Sequence, residues 1–291
     1  KLAAQVFKWT ASSWCEDQDF YRFSGLFRSV YLYTVPKTHI WDMKIRPLVE
    51  EDLQTASLDL TCEVWGEGSV KIRLLELGRL DFEDSRMRQP AGRVVLEKEE
   101  RLKEAFHVAY PIGKPKLWSA EIPYLYELCM EISDAAGKLT EVISQKIGFR
   151  RFEMKDGLMC LNGKRIVFKG VNRHEFGSLT GRAVSLDETL WDIVTMKQNN
   201  INAIRTSHYP NSAGIYELCD RYGLYMIAEN NLESHGTWDA AIFRKCAEPE
   251  SVVPGDNPKW EARMLDRVNS CYQRDKNHPA ILIWSRGNEA Y

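Results

Sequence analysis

The 291-residue sequence has no apolar stretch approaching the ~20 residues that span a bilayer, which excludes a helical membrane anchor within it. It has no dominant charge either. Its 39 Lys and Arg stand against 41 Asp and Glu, so no long-range field favours nucleic acid or an anionic membrane. Paired cysteines are lacking: the seven (Cys15, Cys62, Cys129, Cys160, Cys219, Cys246, Cys271) are odd in number, scattered, and never spaced C-x-x-C. That pattern argues against a disulfide framework or a zinc site and for reduced thiols in a cytoplasmic protein. An initiating Met is also missing. The chain opens at Lys1 in what reads as mid-strand, so residues are expected to precede it.

Aromatics are abundant, with nine Trp and twelve Tyr, which suits sugar-facing platforms as well as core packing. Residues 1–37 hold strand-like pieces, Val6–Trp9 and Val30–Tyr33, around the polar loop Trp14–Gly25. So short a segment cannot enclose a core and reads as the end of a larger β domain. Its loop, with Glu16, Asp17, Asp19 and Arg22, is either a solvated turn or a binding edge.

Residues 38–150 alternate clearly at Leu58, Leu60, Cys62 and Val64, at Val70, Ile72 and Leu74, and at Leu128, Met130 and Ile132. With Gly and Pro punctuation between these runs, the spacing predicts an immunoglobulin-like antiparallel sandwich. The charged stretch Leu80–Lys103 predicts one strand near Val94–Leu96 between long exposed loops.

From residue 151 the period changes. Strands are expected at Arg165–Val171, Ile201–Arg205, Leu224–Ala228 and from Ile281 through Trp284. A helix opens at the capping box Ser185 and Glu188 and turns Leu190, Ile193, Val194 and Lys197 to one face. A second carries Ile215, Leu218, Cys219 and Tyr222 and ends at Gly223, and a third, from about Pro258, turns Leu265, Val268 and Tyr272 inward. Strict alternation of strand and helix implies a parallel sheet, half of a (β/α)8 barrel.

Polar residues collect after each strand: Asn172–Glu175, Arg205–Pro210, Glu229–Gly236, then Asn288 and Glu289. In such barrels these loops share one mouth, where reacting groups converge. Glu289 is a candidate general acid or base, and equally a carboxylate capping a helix start. Glu233 and His235, two apart in extended chain, point to one side. With Glu289 they form a mixed oxygen and nitrogen set suited to Mg²⁺ or Mn²⁺ more than Zn²⁺. His174 or His208 taken singly reads as a hydrogen-bonded structural histidine; residues of this kind at every strand end are what points to chemistry.

Six segments in order, Trp14–Gly25, Gly170–Glu175, Asn199–Pro210, Leu218–Leu224, Glu233–Gly236 and Trp284–Glu289, closely resemble the large bacterial β-galactosidases of glycoside hydrolase family 2. The resemblance implies the end of a jelly-roll sugar-binding domain (1–37), an immunoglobulin-like sandwich (38–150) and the first half of a (β/α)8 catalytic barrel (151–291). It implies retaining hydrolysis of β-galactosides such as lactose, with Glu289 as acid/base and Asn288 on the sugar 2-hydroxyl. Glu233, His235 and Glu289 would hold Mg²⁺, and His174 and His208 would contact galactose hydroxyls. Asp19, preferred over Asp17, would contact galactose and help bind Na⁺ or K⁺. The parent is expected to be a homo-oligomer with a nucleophile beyond Tyr291, leaving the 291 residues inactive alone. Departures from the pattern are Ala228, where an acidic residue is usual, and Arg286, whose charge is expected to act on Glu289. Other readings are a family 2 β-glucuronidase or β-mannosidase, or a carbohydrate-binding or assembly piece of a split enzyme.

Overall fold

Alternating buried and exposed residues build two antiparallel sheets between residues 39 and 147. β1 (His39–Val49), β2 (Ala56–Trp65) and β5 (Ala105–Ile112) pair in the order β1-β2-β5. β3 (Gly68–Gly78), β4 (Arg93–Leu102), β6 (Leu125–Asp134) and β7 (Leu139–Ile147) pair as β4-β3-β6-β7. Leu58, Leu60 and Cys62 of the first sheet meet Val70, Ile72, Leu74, Leu128, Met130 and Ile132 of the second, all fully buried. Each such aliphatic side chain contributes roughly 1.5–3 kcal/mol relative to exposure. The computed structural model describes residues 2–16, 23, 25–79 and 92–290, so the predicted loop before β4 lies largely outside the described residues.

Three short strands, β8 (Phe152–Lys155), β9 (Leu158–Leu161) and β10 (Lys164–Arg165), form a small antiparallel sheet that the sequence pattern did not suggest. Then come β11 (Gly170–Arg173), α1 (Leu186–Gln198), β12 (Ala203–Thr206), α2 (Ala213–Tyr222), β13 (Tyr225–Glu229), α3 (His235–Trp238), α4 (Glu261–Asp275) and β14 (Ile281–Ser285). The four strands β11-β12-β13-β14 pair in sequence order and in parallel, as half of a barrel wall. The capping box at Ser185 and Glu188 forms as expected. α2 stops at Gly223, whose φ of +73° is one that residues with a Cβ rarely adopt. Among the described residues no helix is long and apolar enough to cross a membrane.

Three expectations need correction. The strand foreseen at Arg165–Val171 is split: Arg165 pairs with Cys160 in the small sheet, and the barrel strand begins at Gly170. Ile166 and Phe168, between the two sheets, pack against the barrel core instead. α4 leaves Leu265 60 % and Val268 36 % exposed, and buries Cys271 and Asp275. Its rotation is set by polar clamps, Arg267 to the Asn231 carbonyl and Arg274 to the Asn211 carbonyl. Among the described residues no strand forms at Val6–Trp9 or Val30–Tyr33, and Phe7, Trp9, Tyr31 and Leu32 are exposed.

Sandwich and barrel are joined by side chains that imitate backbone. Asn277, just after α4, accepts from the Ile45 amide at 2.9 Å and donates to the Met43 carbonyl at 3.0 Å, extending the edge of β1. Lys276 pairs with Asp42 at 2.6 Å. Trp118, wholly buried, belongs to the barrel core although it precedes β6, and its indole N–H donates to the Asp220 carbonyl at 2.8 Å.

Asp220 in turn accepts from the Ala280 amide at 2.9 Å and meets His278 Nδ1 at 2.6 Å, tying α2 to the start of β14. Burial alone would lower the His278 pKa, but the Asp220 charge and hydrogen bond, with Asp275 and Glu217, raise it above 6.5. The folded state therefore keeps this proton longer than the unfolded chain does. Its stabilisation is complete below about pH 6.5 and is lost as pH climbs through the raised value. Urea unfolding across that window should show stability falling with pH, and His278→Gln should flatten the slope.

Candidate active site

Because β11 to β14 run parallel, their carboxyl ends reach one edge, and the charged residues there are held by one another. Glu229, the last residue of β13, is wholly buried. Its Oε1 lies 2.6 Å from His208 Nδ1, and its Oε2 accepts from Arg205 Nε at 2.6 Å and from Ser285 Oγ at 2.7 Å. Its backbone amide donates to Thr206 Oγ1 at 2.9 Å. Arg205 continues outward, donating through Nη2 to Asn288 Oδ1 at 3.0 Å. The His208 ring stands edge-on to that of His174, centroids 5.4 Å apart, and His174 lies 5.8 Å from the Tyr209 ring.

Beside this group, oxygen or nitrogen atoms of Glu233, His235 and Glu289 all lie within 4.8 Å of one another. Glu233 is 1 % exposed, whereas the side chains of His235 and Glu289 are 34 % and 44 % exposed. His235 Nδ1 is in close contact with Glu289 Oε2, and the Trp238 indole N–H donates to the Glu289 carbonyl at 2.7 Å. Two carboxylates and an imidazole so close together fit a hard divalent cation, since unshielded like charges at this separation repel. The extended spacing assumed for Glu233 and His235 is not what joins them: His235 opens α3, and the turn at Ser234 brings the pair round.

The N-terminal segment docks on this edge. The Glu233 amide donates to the Cys15 carbonyl at 2.9 Å, and Glu16 pairs with Arg267 at 2.7 Å. Arg28 spans Glu175 and the Pro210 carbonyl, both at 2.9 Å. Arg182 lies against the Phe27 and Tyr209 rings, 4.3 and 4.6 Å from their centroids. Burial would raise the Glu175 pKa, but its hydrogen bonds from Ser212 and the Arg28 charge outweigh it and hold the carboxyl below the usual range.

Comparison with known proteins matches residues 1–36 to the sugar binding domain of glycosyl hydrolases family 2, 38–150 to glycosyl hydrolases family 2 and 152–291 to the TIM barrel domain of that family. The chain belongs to glycosyl hydrolase family 2. Over its whole length it is 48 % identical to a β-galactosidase of Halalkalibacterium halodurans and 46 % to one of Clostridium acetobutylicum, covering 28 % and 31 % of those proteins. It is 42 % identical to a β-galactosidase large subunit of Lactobacillus helveticus, covering 44 % of it. The chain thus spans under half the length of these relatives. A Bacteroides uniformis β-glucuronidase structure superposes with a TM-score of 0.77 over 94 % of this chain and 31 % of that one, at 24 % identity, which speaks for the fold.

Within this family 2 frame, the residues singled out in the sequence fall into two neighbouring groups. His208 and Asn288 join through Glu229 and Arg205, with His174 against the His208 ring, and Glu233, His235 and Glu289 cluster beside them. Asp19 and Asp17 lie outside the described residues. Glu289 caps no helix among the described residues; it sits in a turn at φ +35°. Arg286 is exposed and accepts from Asn230 through its backbone carbonyl, while the side chain in contact with the Glu289 carboxylate is His235. Ala228, the other departure, is buried in the barrel core. Glu229, Arg205 and Ser285 were not singled out. The available signal was a carboxylate ending an apolar strand, which must find cations on neighbouring strand ends.

Gly287 sets the turn that presents Asn288 and Glu289. Its φ is +152°, and a Cβ there would lie 2.5 Å from the Leu232 carbonyl that accepts from the Asn288 amide. Gly287→Ala is expected to cost ~1–3 kcal/mol of stability in thermal unfolding, with movement of the 288–289 amides in NMR spectra.

Proposed function

We propose that the whole protein carrying this chain is a retaining β-galactosidase acting on terminal β-galactose, including lactose, in the cytoplasm. The observation that carries this reading is the exposed Glu289 carboxylate beside Asn288, His174 and His208 on one strand edge. Strong identity to β-galactosidases along all 291 residues supports the galactoside over the glucuronide. As a second carboxylate of the whole protein attacks the anomeric carbon, Glu289 protonates the departing glycosidic oxygen; it then deprotonates the water that displaces that carboxylate, while Asn288 donates to the sugar 2-hydroxyl. His174 and His208 bind further hydroxyls, and Asp19 adds a galactose contact and a site for Na⁺ or K⁺.

Glu233, His235 and Glu289 would hold Mg²⁺ or Mn²⁺, whose chemistry when bound is electrostatic: positive charge and ordered water beside the acid/base. Glu233 and Glu289 are near enough to suggest a retaining pair, yet Glu233 is almost wholly enclosed, which favours cation binding over attack on a sugar. The large-subunit relative supports membership of a multi-subunit assembly.

Glu289→Gln in the full-length protein tests the acid/base role. It should depress lactose hydrolysis about 10²–10⁴-fold while sparing glycosyl-enzyme formation from an activated aryl galactoside, whose leaving group needs little proton assistance. Azide should then restore turnover as the β-galactosyl azide; an α-azide would make Glu289 the nucleophile. Glu233→Gln should weaken Mn²⁺ binding in calorimetric titration, and unchanged binding would remove that residue from the metal set.

A further inference from the structure

Glu229 touches no open space, so whatever it does is done through its neighbours. A wholly buried carboxylate is costly unless paired and hydrogen-bonded, and here every partner is a group at the mouth or directly behind it. Two of the contacts have directional consequences. A carboxylate accepts, so the His208 nitrogen facing it carries the proton, which leaves Nε2 for the mouth. Arg205 donates from every nitrogen. With its Nε engaged by Glu229, its Nη2 faces Asn288, and the Asn288 atom it meets must be the oxygen. The Asn288 NH₂ is then committed elsewhere, as a donor.

We infer that Glu229 is the positioning residue of this site: it fixes the His208 tautomer and, through Arg205, the orientation of the Asn288 amide that meets the substrate 2-hydroxyl. The inference deepens the galactosidase reading and rests on it for the identity of the hydroxyl. The buried contacts themselves stand whichever sugar is bound. Ser285 Oγ completes the cradle, so the carboxylate, itself on β13, is held from β12 and β14, while the Thr206 hydroxyl fixes the Glu229 backbone by accepting from its amide.

Nitrogen NMR of imidazole-labelled protein judges the tautomer on the unmodified chain and needs no activity. His208 is expected to carry its proton at Nδ1, alone or with Nε2. A neutral ring protonated at Nε2 alone would overturn the inference, even if the parent proves to be a β-galactosidase. In the full-length protein, Glu229→Gln should lower kcat/KM for an aryl β-galactoside about 10²-fold, the scale of a displaced positioning group. The loss should be clearly smaller for the 2-deoxygalactoside, which offers Asn288 no hydroxyl. Equal losses on both substrates would show a general structural defect and overturn the link to Asn288.

Discussion

Parallel pairing imposes a common direction on β11 to β14, and this direction decides where chemistry can occur. Parallel strands are joined only by crossovers of a dozen or more residues, so every return passes over the outside and every strand ends at the same face. Residues far apart in sequence, such as Asn172 and Asn288, thereby come within reach of the one Arg205 guanidinium. The polar groups so assembled would remain desolvated if they did not partner one another. Glu229 sits between the Arg205 guanidinium and the His208 ring, and Glu289 against the His235 ring.

Among the described residues the sandwich gives no side chain to the cluster at this edge and grips the barrel at the opposite strand ends. Its grip on the barrel combines one large apolar plug, Trp118, with polar joints at Asn277, Lys276 and Arg150, whose guanidinium donates to the Pro279 and Ile281 carbonyls. All of these except Trp118 act within a few residues of the start of β14. The strand leading to Glu289 is thus anchored at the end opposite the site, and Asp220 with His278 adds a further tether there. Individual hydrogen bonds of this kind contribute about 1 kcal/mol net, so the placement of β14 depends on their concentration at one point.

How much of this was readable from the chain depended on the range of the interaction. Local rules served well: the Ser185 and Glu188 capping box, the Gly223 stop and the strand and helix alternation each rest on a few adjacent residues. The residue types at the mouth were visible too, because strand and helix alternation sends the polar groups after each apolar strand to one shared edge. What escaped depends on partners remote in sequence. The apolar run at Ile166–Phe168 looks like barrel strand until the small sheet claims Arg165, and α4 looks oriented by Leu265 and Val268 until Arg267 and Arg274 turn it. Glu229 showed in the sequence only as a carboxylate ending an apolar strand; its role was not legible there because it lies in neighbours from β12 and β14 and the loop after β12.

The backbone bond from the Glu233 amide to the Cys15 carbonyl joins two things that look separate, the fastening of the N-terminal segment and the placement of a buried carboxylate at the mouth. Two events that share one ordered element are thermodynamically linked, and linkage is reciprocal. Any ligand that immobilised Glu233 would also make the segment harder to peel away. Conversely, a protease or a competing surface that stripped residues 2–16 from the barrel would loosen Glu233 without touching its side chain. The segment would therefore act as a reporter: its susceptibility to cleavage would read out whether Glu233 is engaged.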